Sequence, residues 1–286
     1  MHIRCVHFGS TALPRQTLAK TLQSTLQVQS ATELGAMAAA AAQKAPITLY
    51  TAGTPNGWKA SVCLEELGVP YAVHAIDLGS GEQKQDWYVN GINPNGRIPA
   101  IVDHNAGDLP VFESGAVLLY LAERDPERRL LPTDLRGRAE TLSWLFWQMG
   151  GLGPMAGQAD WFLLFAPERN EMGITRYTEE VHRLFGVMER RLEGRDWLAA
   201  GQYTIADIAA FTWVVLHEVW GISLAKNYPR LNRWFEAIKA RPAVQRGCNV
   251  PGPNWVLTNT EHWQGNLQKA DARRKGIAPP SSKPEK

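Results

Sequence analysis

The stretch Asn93-Pro94-Asn95-Gly96-Arg97-Ile98-Pro99-Ala100-Ile101-Val102-Asp103 decides the fold of this chain. Asn-Pro-Asn-Gly is a turn by composition, because each of these residues favours a tight reversal for its own steric or hydrogen-bonding reason. A short apolar strand follows and starts at a proline. Ten residues later Phe112-Glu113-Ser114-Gly115 opens a helix, with Val117, Leu118 and Leu121 on its apolar side. A proline at a strand entry beside a Glu-Ser helix start offers a compact set of backbone donors and acceptors. Such a set suits a short extended peptide that bears a cysteine.

Working upstream, Ile47-Thr48-Leu49-Tyr50-Thr51 is a β-rich run that stops before Gly53. Ala60, Cys63, Leu64 and Leu67 share one helical face, and Gly68 ends that helix. Tyr71 to Ile76 reads as a second strand, Ile98 to Val102 as a third and Pro110 to Phe112 as a fourth. The order β-α-β, a long connection, then β-β-α predicts a small mixed sheet of thioredoxin size over residues 46–128. Pro126 and Pro132 mark a linker.

Downstream the pattern is helical, over residues 137–246. Thr141 to Met149 is aromatic-rich, and Ile174 to Leu192 is a long amphipathic helix. Thr204-Ile205-Ala206-Asp207 has the form of a capping box, with Tyr203 and Ile208 placed as a hydrophobic staple. Asp207 is therefore read as a structural cap. Leu231, Trp234, Phe235 and Ile238 mark a further helix that ends before Pro242. The fold class expected is α/β followed by all-α.

Composition sets the outer limits. The chain has 286 residues, 44% hydrophobic and 20% charged, with a formal net charge of +2. That is an ordinary globular balance, and the charge points to no nucleic-acid partner. Cys5, Cys63 and Cys248 are too scattered for a disulfide framework or a metal site, which suits a reducing compartment. Gly35 to Ala42 is the longest apolar stretch near the start, and it is too short to span a membrane. Residues 1–45 stand apart: no acidic residue precedes Glu33, Ser and Thr are frequent, and Arg4, Arg15 and Lys20 leave the segment basic. They read as a disordered extension in a cytoplasmic protein or as an organelle transit peptide, in a plastid or mitochondrion. Residues 247–286 read as an irregular tail.

The blocks NPNGRIPAIVD, FESGAVLLYLAE and YTIADIA, with Trp144-Leu145-Phe146-Trp147-Gln148 and the Gly150 to Met155 run, resemble the nu-class glutathione transferases. These are the disulfide-bond oxidoreductase type, related to the glutathione transferase-like domain of the yeast prion-forming nitrogen regulator. The resemblance covers about residues 46–250. It implies a thioredoxin-like domain that binds glutathione, an all-helical second domain, a homodimer, and no metal. It also implies a small disulfide or an electrophile as second substrate, with no nucleic-acid or membrane partner.

The chemistry then requires an ionised glutathione thiol. A free thiol has a pKa of about 8.5, and lowering it by about two units takes roughly 2.7 kcal/mol of selective thiolate stabilisation. Donors at a helix N-terminus can supply this. The loop Thr51 to Gly57 occupies that place. By pattern alone Thr54 and Asn56 are turn and cap residues; the resemblance implies that both face the sulfur. Tyr50 is the alternative catalyst, but it lies within a strand, where an aromatic residue is ordinarily core. Cys63 lies on the apolar helix face without a CxxC partner and reads as packing.

The resemblance implies the remaining glutathione contacts as well. Ile98 pairs its backbone with the peptide's cysteine, and a cis Pro99 leaves the Ile98 backbone free to do so. Glu113 takes the γ-glutamyl ammonium, while Ser114 and its helix start take the carboxylate, a role compatible with N-capping. Gln83, Arg97 and Arg176 contact other parts of the peptide, though Arg176 also reads as a surface charge. Trp144, Trp147 and Trp161 are candidates for the second-substrate wall, although large aromatics at helical spacing are more often core. A different class stays open: a regulatory or assembly module that binds glutathione with little chemistry.

Overall fold

A computed structural model describes residues 45–253; the readings of an N-terminal extension and of most of the C-terminal tail lie outside the described residues. The first half is built as β1 (Ile47–Thr51), α1 (Pro55–Leu67), β2 (Tyr71–Ala75), α2 (Asp86–Gly91), β3 (Ala100–Asp103), β4 (Leu109–Phe112) and α3 (Ser114–Arg124). The sheet order is β2-β1-β3-β4, with β1 and β2 parallel and the other pairs antiparallel. This is a thioredoxin-like arrangement. β3 starts two residues later than the sequence pattern suggests, because Pro99 has no N–H to give to the ladder. The Ile98–Pro99 peptide bond is cis.

Local chemistry explains the boundaries of α1. Thr54 is its N-cap, and the Thr54 Oγ1 accepts from Gly57 N at 3.2 Å, with Pro55 at the first helical position. Gly68 closes the helix at φ +65°, a left-handed conformation that residues with a Cβ rarely adopt.

The second half contains α4 (Leu135–Trp147), α5 (Gly153–Asp160), α6 (Glu171–Arg191), α7 (Ile205–Val214), α8 (Leu224–Asn227), α9 (Pro229–Lys239) and α10 (Pro242–Cys248). Two π-helical turns, Gln148–Leu152 and Trp161–Phe165, flank α5. Helix α10 ends at Cys248, one residue past the Gly247 at which the sequence pattern places the start of the tail. The reason is packing: a Cβ on Gly247 would lie 2.5 Å from the Val62 Cα of α1. The neighbouring Ser61 hydroxyl donates to the Gly247 carbonyl at 2.7 Å.

Helix α7 is buried on every side and is held at its start by the expected capping box. Asp207 is fully buried and accepts from Thr204 N, Leu198 N, the Thr204 hydroxyl and Trp234 Nε1, at 2.8 to 3.1 Å. Its role is structural. Among the described residues no helix is long and apolar enough to cross a membrane, and no cluster of His, Cys, Asp or Glu is arranged for a metal.

Candidate functional site

A cavity of about 520 Å³ lies where the starts of α1 and α3, the turn at residues 93–99, and the α4–α5 region meet. Of the residues singled out in the sequence, it is lined by Asn56, Arg97, Ile98, Pro99, Glu113 and Ser114. Helices α1 and α3 both begin at this cavity, and helix N-termini favour anions.

The turn is held by a side chain that the sequence pattern did not single out. Asn93 is almost fully buried; its Oδ1 accepts from Asn95 N at 2.9 Å and its Nδ2 donates to the Arg97 carbonyl at 2.8 Å. The Tyr88 hydroxyl donates to the same carbonyl at 2.7 Å. These bonds set the backbone that leads into Ile98. Glu113, just before α3, has φ +68°, a region that glycine favours. Holding a glutamate there costs about 1–3 kcal/mol. The strained residue is the one whose carboxylate faces the cavity, where Asn95 Nδ2 donates to it at 3.3 Å.

Lys59 is the largest addition to the predicted set. It is 1% exposed, lines the cavity, and donates through Nζ to Gln148 Oε1 at 2.7 Å, Ser114 Oγ at 3.3 Å and Met149 Sδ at 3.3 Å. Burial lowers its pKa to about 7, while the nearby Glu113 carboxylate acts in the opposite direction. The signal was present in the sequence: Lys59 stands four residues before Cys63, on the face already read as buried. Glycine at 115 serves the same junction, because a Cβ there would lie 2.9 Å from Met149 Cγ.

Other expected residues sit elsewhere. The Thr54 side chain caps α1 and does not line the cavity. Gln83 is buried outside the lining, and its Oε1 has no partner among the described residues. Arg176 is exposed on α6 and does not line the cavity. Tyr50 packs among His74, Trp87 and Tyr88, with ring centroids 5.1 to 6.2 Å away, and burial raises its pKa. It lies outside the cavity lining and is half-buried, in a ring cluster beside the core and not within it. Cys63 and Cys248 are buried, and burial pushes both thiols up, Cys248 to about 12. Trp144 and Trp147 pack edge to face at 5.1 Å against the core, and Trp161 is partly exposed. The tryptophan that lines the cavity is Trp213 of α7, whose indole N–H donates to Asn56 Oδ1 at 3.1 Å. A helix buried on every side gives no sequence clue to which of its residues meets a site.

Comparison with known proteins agrees with this geometry. Residues 45–123 match the family model for the glutathione S-transferase N-terminal domain, and residues 152–242 match that for the C-terminal domain. The chain is 47% identical to the disulfide-bond oxidoreductase YfcG of Escherichia coli strain K12, over 69% of this chain and 92% of that protein. It superposes on a glutathione transferase homolog from Lodderomyces elongisporus, solved with two GSH per subunit, with a TM-score of 0.69 and 39% identity. That match covers 72% of this chain and 99% of the other. A glutathione transferase from Pseudomonas putida, solved with one glutathione disulfide per subunit, gives a TM-score of 0.66 and 40% identity, over 72% and 92%.

Proposed function

The chain belongs to the glutathione S-transferase family, and from that premise we propose that it binds glutathione in this cavity and uses the thiolate to reduce small disulfides. The observation that carries the reading is the donor set at the start of α1. Asn56 lines the cavity there, while both cysteines among the described residues are buried with raised pKa values. In this reading the attacking sulfur is the ligand's and not that of Cys63 or Cys248. The name of the Escherichia coli relative and the glutathione disulfide in the Pseudomonas putida structure support the same chemistry.

In the proposed reaction a glutathione thiolate attacks one sulfur of the disulfide. The S–S bond breaks, a mixed disulfide forms, and the first thiol leaves as its thiolate and takes up a proton. A second glutathione thiolate attacks the glutathionyl sulfur of that mixed disulfide. Glutathione disulfide and the second thiol are released, so two glutathiones are oxidised for each disulfide reduced. Asn56 Nδ2 donates to the sulfur, together with the Thr54 hydroxyl, whose oxygen already accepts from Gly57 N. Ile98 pairs with the cysteine backbone, Glu113 takes the ammonium, and Ser114 takes the carboxylate at the start of α3. Arg97 faces the same anionic ligand. Gln83 and Arg176, which like Thr54 stand outside the lining, contact other parts of the peptide in the proposal.

The proposal includes a homodimer. Leu135 and Phe146, both strongly exposed, lie three turns apart on one side of α4 and offer an apolar surface.

Turnover of a small disulfide with glutathione tests the reading. A purified protein that binds glutathione but shows no reductase, transferase or peroxidase turnover would be a regulatory binding module instead.

A further inference from the structure

We infer that Trp213 is a positioning residue for the bound thiol: its indole N–H holds the side-chain oxygen of Asn56 and so turns the Asn56 amide nitrogen toward the sulfur. This rests on the reading of Asn56 as a thiolate donor and extends it into the helical half.

The contact is Trp213 Nε1 to Asn56 Oδ1 at 3.1 Å, between α7 and the first turn of α1. An indole N–H only donates, so the group that faces it must be an acceptor. The carboxamide of Asn56 is planar, with oxygen and nitrogen on opposite sides. With its oxygen tied to Trp213, the two N–H bonds of Nδ2 project the other way, and Asn56 lines the cavity. Released from the indole, the amide samples both orientations. The flipped one sets an oxygen against a thiolate, where it repels the charge it should stabilise.

Two glycines leave the room that the indole occupies. A Cβ on Gly157 would lie 3.2 Å from Trp213 Cη2, and one on Gly153 would lie 3.3 Å from Trp213 Nε1. These glycines stand one turn apart on α5, and all three residues line the cavity. A second carboxamide is arranged in the same way. Lys59 holds Gln148 Oε1, while the buried Gln148 Nε2 has no partner among the described residues. In both cases the oxygen is tied back and the amide nitrogen is left as a donor. The acidity of a thiol bound by the first half is thus set in part by a residue of the second.

The test titrates the thiol of bound glutathione by the ultraviolet absorbance of its thiolate, in wild type, Trp213→Phe, Asn56→Ala and the double variant. Phenylalanine keeps the aromatic packing and removes the N–H. Trp213→Phe is expected to raise the thiol pKa by roughly half to one pH unit, the effect of one neutral hydrogen bond. The double variant is expected to match Asn56→Ala alone. If Asn56→Ala raises the thiol pKa and Trp213→Phe does not, the inference fails while the reading of Asn56 survives. If Asn56→Ala has no effect, that reading fails and the inference with it. Should Trp213→Phe not fold, wild-type protein labelled with ¹⁵N-tryptophan decides. The Trp213 indole resonance, identified by its shift in Asn56→Ala, must move as the bound thiol titrates, and a resonance that stays still overturns the inference.

Discussion

Lys59 Nζ lies 2.7 Å from Gln148 Oε1, so a lysine of the first helix is held inside the protein by a glutamine from the helical half. Neither residue is more than 1% exposed. A buried ammonium is tolerated only when its donors are satisfied, and here Ser114 and Met149 complete the set. The same lysine supports Ser114 from behind. It links the proposed carboxylate contact to the junction between the two halves.

This lysine gives the first prediction. Its pKa falls from 10.5 to about 7 on folding, through burial. Below about pH 7 it is charged in both states, and the cost of its buried charge is present in full. Between about 7 and 10.5 the folded protein has shed the proton and the unfolded chain still holds it. The unfolded state then binds more protons, so this group makes stability rise with pH across that window. Urea unfolding midpoints of wild type relative to Lys59→Met should therefore climb from pH 7 to pH 10. Parallel curves for the two proteins would refute the assignment.

The second concerns the sulfur. Replacing Thr54 and Asn56 together by Ala returns the thiol toward its free pKa, about 8.5. Disulfide turnover at neutral pH should drop roughly ten- to thirtyfold, as the ionised fraction falls. Much of that loss should return near pH 9. Tyr50→Phe should leave the rate and its pH profile unchanged, because Tyr50 is packed in a ring cluster outside the cavity lining. Steady-state kinetics across pH distinguishes the two variants.

Glu113 combines strain with function. At φ +68° a glycine would relieve a cost of about 1–3 kcal/mol, partly offset by the greater freedom of glycine in the unfolded chain. Glu113→Gly is expected to match or exceed wild-type stability in urea while losing glutathione affinity. Glu113→Gln keeps the strain and loses the charge, so its affinity should fall without the gain in stability. Calorimetric titration and unfolding on both variants check this.

Asp207 should behave in the opposite way. Asp207→Ala leaves several buried donors without an acceptor and should cost at least about 2 kcal/mol. The thiol pKa of bound glutathione should not move in protein that remains folded. A shifted thiol pKa would mean that the cap, at the start of the helix that carries Trp213, also shapes the site.

Much of the fold was legible in order along the chain. The β1 run, the α1 face ending at Gly68, the Glu-Ser start of α3 and the Thr204–Asp207 box depend on periodicity and local capping, and both are properties of neighbouring residues. The boundaries missed had non-local causes. Strand β3 starts late because a proline cannot enter a ladder made with another strand. Helix α10 continues past Gly247 because α1 lies against it.

The sequence by itself determined the thioredoxin-like half, the helical half and, through the NPNGRIPAIVD and FESG blocks, the residues that begin the cavity wall. These follow from short-range rules and from motifs whose members stand close together in the chain. Only the tertiary structure decided which distant side chains finish the site. Asn56 and Trp213 are 157 residues apart, and Lys59 and Gln148 are 89 apart. No local pattern marks such pairs, because hydrogen-bond geometry exists only after the two halves pack. The turn at Thr54 to Asn56 supplies an amide, and the packed helical half decides which end of that amide the cavity meets.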